Sequence, residues 1–107
     1  MGQKKKYFEN YLAWSQKIKK EAEKLLSPVK VLVFGSVVKG DWGPNSDIDI
    51  LIISDKLSKN WEKNTIFKVK IKSKIDPFSP FQIHLARPEE YERWYKNFIK
   101  DDYIVIK

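Results

Sequence analysis

Two short apolar runs joined by a polar link constrain the fold of this chain more than any other feature. The first run is VLVF at residues 31–34, the second is ILII at residues 50–53, and the link between them contains glycine and proline. Short apolar runs that are rich in β-branched residues and bounded by Gly or Pro are typical of buried strands. The stretch therefore predicts a first strand at residues 31–34 and a second strand at residues 47–53.

Asp47 and Asp49 stand at the start of the second predicted strand. Residues two apart on a strand point to the same face, so these carboxylates should project side by side while Ile48 faces the other way. At ~5 Å the two charges repel by roughly 3 kcal/mol at an effective dielectric constant of about 20, which a shared proton or a bound cation would relieve. Two carboxylates suit Mg²⁺, which usually completes its shell with water and substrate phosphates.

Gly35 and Ser36 directly follow the first predicted strand. If Ser36 opens a helical turn at residues 36–39, its backbone N–H groups and its hydroxyl form a site for an anion. One end of the stretch therefore favours phosphate, and the other end favours a metal ion that bridges to phosphate.

A Gly-Ser pair, ten intervening residues and Asp-x-Asp form a motif that resembles the signature of the polymerase-β-type nucleotidyltransferase superfamily. The motif runs from Gly35-Ser36 to Asp47-Ile48-Asp49, and the short chain resembles the minimal nucleotidyltransferase branch. The alternative is a strand-loop-strand in which the two aspartates only solvate a loop. Because the spacing is specific, we favour the functional interpretation.

The resemblance implies a reaction and a set of nucleotide-binding residues. The superfamily transfers a nucleoside monophosphate from a triphosphate, expected here to be ATP, to a hydroxyl and releases pyrophosphate, and two Mg²⁺ ions held by aspartates stabilise the attacking and leaving oxygens. By resemblance, the two aspartates of the motif hold metal, and Gly35 and Ser36 hold the β and γ phosphates. Gly40, which lets the link turn tightly, and Ser46 complete the expected nucleotide-binding residues.

The superfamily pattern also asks for a third carboxylate on a following strand, and this chain does not obviously supply it. The alternation at residues 81–85 predicts a third strand that carries Gln82 and His84 on one face and no acid. We place Gln82 at the missing position, where glutamine cannot take a proton and is a weak metal ligand. His84 is a candidate base near neutral pH; the alternative is a structural hydrogen bond to a backbone carbonyl. Asp76 is a further candidate, but it lies off the strand.

The rest of the chain predicts an α/β (α+β) fold with a mixed sheet of three to four strands and helices mainly on one face. The apolar stripe of residues 4–26 predicts one amphipathic helix that ends at Ser27-Pro28. Residues 55–75 fit either a helix or a strand, and the element order of the superfamily favours a helix. Pro88 begins a helix whose aromatic stripe is predicted to be core: Tyr91, Trp94, Tyr95 and Phe98.

Two further features leave alternatives open. Trp42 in the link either stacks on a nucleobase or packs over the edge of the core, and we favour packing. The apolar tail at residues 103–106 fits an edge strand, a contact between two copies of the chain in a homodimer, or docking onto the first helix.

Length and composition limit the classes of protein to which the chain can belong. The 107 residues predict a single domain, 1–107. The absence of cysteine excludes disulfides and thiolate metal sites. No apolar run reaches the ~18–20 residues of a membrane span, and no signal peptide is recognised, so we expect a cytoplasmic protein with no membrane partner. The net charge of +7 favours polyanionic partners, which include nucleoside triphosphates and nucleic acid.

Three functions compete on this evidence. The first is a minimal nucleotidyltransferase that uses Mg²⁺ and ATP; the resemblance also implies a small all-helical HEPN-domain partner, which the protein would adenylylate as the antitoxin of a toxin–antitoxin pair. The second is a catalytically silent relative that binds a nucleotide or a partner without turnover, as Gln82 suggests. The third is a nucleic-acid-binding protein that exploits the positive charge, which no recognised reading motif supports.

Overall fold

A four-stranded mixed sheet forms the centre of the molecule in the computed structural model, which describes residues 4–107. The first three residues of the predicted domain 1–107 lie outside the described residues. The strands lie in the order β3-β2-β1-β4; β1 is antiparallel to β2 and β4, and β2 is parallel to β3. Their bounds are Lys30–Phe34 (β1), Ile48–Ile53 (β2), Phe81–Ala86 (β3) and Tyr103–Ile106 (β4).

The two predicted apolar runs are the two central strands. Residues 31–33 of β1 and residues 50–52 of β2 have no exposed surface, because both faces of the sheet are covered at this point. Such doubly covered strands are apolar without interruption. The second strand begins one residue later than predicted, because the first hydrogen bond of this strand joins the Ile48 N–H to the Pro80 carbonyl oxygen, at 2.9 Å.

The first face of the sheet is covered by helices α1 (Lys5–Glu9), α2 (Tyr11–Leu26) and α4 (Thr65–Ile75). The single helix predicted for residues 4–26 is therefore wrong in one respect, because the backbone of Asn10 leaves the helical region (φ −121°, ψ 33°) and separates α1 from α2. The predicted stripe is buried on α2 at Ser15, Ile18, Ala22 and Leu26. Residues 65–75 are helical, so the strand alternative for this segment is excluded.

The second face is covered by the C-terminal helical segment, which consists of α5 (Pro88–Glu90), a π-helix (Tyr91–Tyr95) and α6 (Lys96–Ile99). The segment starts at Pro88 as predicted, and the Arg87 N–H donates to the Glu90 carboxylate at 2.9 Å. Its inward residues contact the side chains of β1 and β2 and are four apart: Tyr91, Tyr95 and Ile99.

The prediction that the whole aromatic stripe is core is wrong. Trp94 is 61% exposed and Phe98 is 69% exposed. In the wide turn of the π-helix, the residues that face the sheet are four apart: Tyr91, Tyr95 and Ile99. Residues 94 and 98 lie outside this set and are therefore exposed.

The fold class predicted from the sequence is confirmed, with a mixed sheet of four strands and the larger helices on one face. The tail forms the edge strand β4, which pairs with β1 from Val31↔Ile106 to Phe34↔Tyr103. Within residues 4–107 every helix is too short or too polar to serve as a transmembrane segment.

A carboxylate outside the sheet joins α1 to the end of α4. The Tyr7 hydroxyl donates to Asp76 Oδ2 at 3.0 Å, and the Phe78 N–H donates to Asp76 Oδ1 at 2.9 Å. The Phe78 N–H, and then the Tyr7 hydroxyl, hold the pKa of Asp76 below its usual value of 3.8. A lowered folded-state pKa stabilises the fold above the unfolded pKa, and this stabilisation disappears as the pH falls through the folded value.

We predict that Asp76→Asn lowers the melting temperature at pH 7 and that the difference from the native protein closes as the pH falls below 3.8. Thermal unfolding followed by circular dichroism between pH 2.5 and pH 7 measures this difference. The control is Asp41→Asn in the exposed link, which should follow the native curve. A difference for Asp76→Asn that does not depend on pH would contradict the role of this carboxylate.

Candidate functional site

The carboxylate of Asp49 lies between the end of β1 and the neighbouring strand β3. Asp49 Oδ1 is 3.2 Å from His84 Nε2. Asp49 Oδ2 lies 2.6 Å from the position that a Cβ atom on Gly35 would occupy. The Asp49 carboxylate therefore lies between His84 and Gly35. The side chains of Asp49 and His84 are each 29% exposed, so a ligand can still reach the carboxylate.

The register of the sheet produces this arrangement. Phe34 pairs with Asp49 across the antiparallel β1 and β2, so Gly35 follows at the level of the carboxylate. Across the parallel pair β2 and β3, Asp49 pairs with Gln82, and Leu51 pairs with His84. Side chains two apart on a strand share a face, so His84 lies on the same face as Asp49 and reaches back to it.

Gly35 is required at its position for two independent reasons. Its backbone angles (φ 88°, ψ −157°) lie in a region that is essentially restricted to glycine. Any side chain would also occupy the space of the Asp49 carboxylate. The sequence predicted the turn at Gly35 but not its contact with Asp49.

The helical turn predicted at residues 36–39 is present as α3 (Ser36–Lys39). Its first internal hydrogen bond runs from the Val38 N–H to the Gly35 carbonyl oxygen, at 3.1 Å. The N–H groups of residues 36 and 37 therefore make no hydrogen bond within the turn. Gly40 ends the turn in the left-handed conformation (φ 80°), and its N–H donates to the Ser36 carbonyl oxygen at 2.9 Å.

Hydrogen bonds within the link between α3 and β2, and a stacking contact to α1, fix its conformation. The Ser46 hydroxyl accepts a hydrogen bond from the Gly43 N–H at 2.8 Å, and the Ser46 N–H donates to the Gly43 carbonyl at 3.1 Å. Trp42 stacks on Phe8 with ring centroids 4.7 Å apart, which confirms packing at the edge of the core. Ser46 therefore closes the turn before the acids, and its contact with a nucleotide stays a prediction.

Asp47 directly precedes β2, and Asp49 is the second residue of this strand. Ile48 and Ile50 are fully buried, Asp47 is exposed, and Asp49 is partly buried. That the two carboxylates project side by side stays a prediction. Among the residues that the structure describes, no three His, Cys, Asp or Glu side chains are grouped as metal ligands. A Mg²⁺ ion held by these two carboxylates would receive its other oxygens from water and from substrate phosphates.

His84 contacts a carboxylate and not the backbone carbonyl that its structural interpretation predicted, so that expectation is wrong. Because an ionised carboxylate only accepts, His84 Nε2 must carry the proton in this contact. The imidazole is also enclosed by Phe34 at 5.5 Å and Tyr95 at 6.3 Å between ring centroids. Burial, and then the charge of Glu90, raise the pKa of the Tyr95 hydroxyl, which stays protonated at neutral pH.

Gln82 occupies the strand position next to Asp49, where the third carboxylate was expected. Its side chain is exposed, and it lines a cavity of about 160 Å³ together with Lys68 and Lys72 of α4. The other candidate, Asp76, is occupied by its hydrogen bonds to Tyr7 and Phe78. The structure therefore places a neutral amide on the strand next to Asp49.

The chain is similar to known proteins over most of its length. Residues 15–106 match the family model of the nucleotidyltransferase domain. The crystal structure of a candidate nucleotidyltransferase is 31% identical with a TM-score of 0.69, over 86% of this chain and 96% of that chain. A candidate nucleotidyltransferase from Sulfolobus solfataricus, 21% identical over 98% of this chain and 89% of that chain, has the same fold with a TM-score of 0.62. No curated protein matches the sequence.

We predict that Gly35→Ala destabilises the protein more than Gly40→Ala does and that only Gly35→Ala disturbs Asp49. Both positions have positive φ, but the space around Gly40 is open. Gly40→Ala should lower the free energy of unfolding by about 1 kcal/mol, and Gly35→Ala by roughly 3 kcal/mol, as urea denaturation measures.

The imidazole NMR signals provide the second readout, because His84 is the one histidine of the chain. Gly35→Ala should shift them by displacing the Asp49 carboxylate, and Gly40→Ala should leave them in place. Equal effects of the two substitutions on these signals would contradict the close approach of Gly35 to Asp49.

Proposed function

The chain belongs to the nucleotidyltransferase domain family, and from this membership we propose that it transfers AMP from ATP to a hydroxyl group, with Mg²⁺ held by Asp47 and Asp49. The observation that carries this proposal is the position of the Asp49 carboxylate directly against Gly35. A phosphate bound at the Gly35-Ser36 turn would lie beside that carboxylate, and a divalent cation held by Asp47 and Asp49 would neutralise the negative charge there.

Metal binding, orientation of the Asp49 carboxylate and phosphate binding are carried out by different residues in this proposal. Asp47 and Asp49 hold the metal, and His84 keeps the Asp49 carboxylate in one orientation through its 3.2 Å contact. The bound Mg²⁺ supplies charge neutralisation at the phosphates. The absence of a side chain at Gly35 lets phosphate oxygens approach the backbone of the turn.

The reaction itself is an in-line displacement at the α-phosphorus. A bond forms between the acceptor oxygen and the α-phosphorus, the bond from the α-phosphorus to the bridging oxygen of the β-phosphate breaks, and pyrophosphate leaves. Gln82 cannot accept the proton of the acceptor hydroxyl, and the other candidate base, His84, contacts Asp49 through its Nε2, so this proton passes to water. We therefore expect slow turnover.

The acceptor in this proposal is a hydroxyl of a HEPN-domain partner protein, as the resemblance to the minimal branch implies. The second candidate function is a silent relative that binds ATP or its partner without turnover. The amide of Gln82 beside Asp49 favours this alternative. Release of pyrophosphate distinguishes the two, because only the enzyme produces it.

We predict that the protein transfers label from α-phosphate-labelled ATP to a HEPN-domain protein in a Mg²⁺-dependent reaction. Asp47→Asn and Asp49→Asn should each reduce transfer at least about 100-fold, because each removes a charged ligand of the metal. Asp41→Asn, in the same link, is the matched control and should retain transfer. Label transfer that survives the double substitution would exclude this site as the catalytic centre.

We also predict that Gln82→Asp increases the rate of pyrophosphate release by about 10- to 100-fold, because a positioned general base typically contributes about 10²- to 10⁴-fold. Gln82→Asn keeps the amide and is the control, so its rate should not rise. If Gln82→Asp leaves the rate unchanged, the position next to Asp49 has no role in activating the acceptor.

A further inference from the structure

Two large aromatic side chains are exposed on the C-terminal helical segment. Trp94 is 61% exposed and Phe98 is 69% exposed. Residues four apart on a helix lie next to each other on its surface, so the two rings belong to one patch, which we call the aromatic patch. Exposed aromatic surface of this size forgoes the stabilisation that burial gives, and contiguous exposed apolar patches are more typical of binding sites than single exposed rings are.

The aromatic patch is connected to the candidate site through two series of ring contacts. Phe98 meets Phe34 edge-on at 6.5 Å, and Phe34 contacts His84 at 5.5 Å. Trp94 stacks on Tyr95 at 5.3 Å, and Tyr95 meets His84 at 6.3 Å. Both series end at the imidazole that contacts Asp49.

The direction of the helical segment brings Phe98 to the end of the sheet at which β1 ends. The segment begins after β3, crosses the second face and ends at Ile99. The chain then enters β4, where Tyr103 pairs with Phe34, the residue before Gly35. Phe98 therefore lies near the end of β1 at which Gly35-Ser36 turns and the acids begin.

We propose that Trp94 and Phe98 form the stacking surface for the nucleobase of the substrate nucleotide. The inference rests on the proposed function, since the phosphates must bind at Gly35-Ser36 for the base to reach the patch. Phe98 contacts Phe34, the residue before Gly35, with ring centroids 6.5 Å apart, so a nucleotide with its phosphates at Gly35-Ser36 would direct its base towards this part of the patch.

Stacking also limits the selectivity of the site. Every nucleobase has a π-face, so aromatic stacking tolerates all four bases. Selective recognition of one base would require polar groups at its edge in addition to stacking. Stacking alone therefore does not account for a preference for ATP over the other nucleoside triphosphates.

The test compares a nonhydrolysable ATP analogue with inorganic tripolyphosphate, which has the phosphates but no base. Both are titrated calorimetrically with Mg²⁺ into the full chain. Trp94→Ala and Phe98→Ala should each weaken binding of the analogue about tenfold and leave binding of tripolyphosphate unchanged. Phe98→Tyr should bind like the native protein, and Phe98→Leu like Phe98→Ala, because a flat ring is needed.

The chain offers matched controls for both aromatic substitutions. Trp61, before α4, is 74% exposed, and Phe78, after α4, is 86% exposed. Trp61→Ala and Phe78→Ala remove the same side chains elsewhere on the surface and should leave the affinity for the analogue unchanged. Circular dichroism confirms that each variant is folded.

The outcomes separate this inference from the function on which it rests. If Asp47→Asn and Asp49→Asn abolish binding of both ligands while Trp94→Ala and Phe98→Ala affect neither, the proposed site stands and the stacking surface is refuted. An equal loss for both ligands in the aromatic variants also refutes stacking, as does docking of a partner protein on the patch with nucleotide affinity unchanged. If the native protein binds neither ligand, both proposals fail.

Discussion

The contact between the Asp49 carboxylate and the backbone of Gly35 is the constraint on which the rest of the site depends. A side chain at position 35 would displace the Asp49 carboxylate, and the backbone angles of Gly35 are themselves restricted to glycine. The contact exists because β1 and β2 pair with Phe34 opposite Asp49. A slip of one residue would turn the acid towards the helices α2 and α4, so burial of the apolar runs on both faces maintains the site.

The position beside Asp49 determines what chemistry this nucleotidyltransferase domain can perform. His84 restrains the acid on one side, and Gln82 stands next to it without a charge. In the proposed function the two carboxylates would hold a metal beside a triphosphate, whereas the amide of Gln82 cannot take the proton of the acceptor. The residues of the chain therefore support nucleotide binding, as the proposed activity, better than fast turnover.

Local patterns in the sequence were sufficient for the central strands, the turn at α3, the third strand and the glycines of the link. They failed where the decisive contact is distant in sequence. The partner of His84 lies 35 residues away, and no spacing rule indicates it. The exposure of Trp94 and Phe98 arises from a π-helix, whereas their spacing matches a buried stripe of an ordinary helix. The helix break at Asn10 between α1 and α2 could not be predicted, because no proline or glycine lies at this position.

A crystal structure with Mn²⁺ and a nonhydrolysable ATP analogue would test the central claim most directly, because the anomalous signal of manganese locates the metal independently of the phosphates. The account predicts manganese bound to Asp47 and Asp49, and phosphate oxygens at the Gly35-Ser36 turn. It is contradicted if the metal binds without Asp49, or if the triphosphate lies away from Gly35.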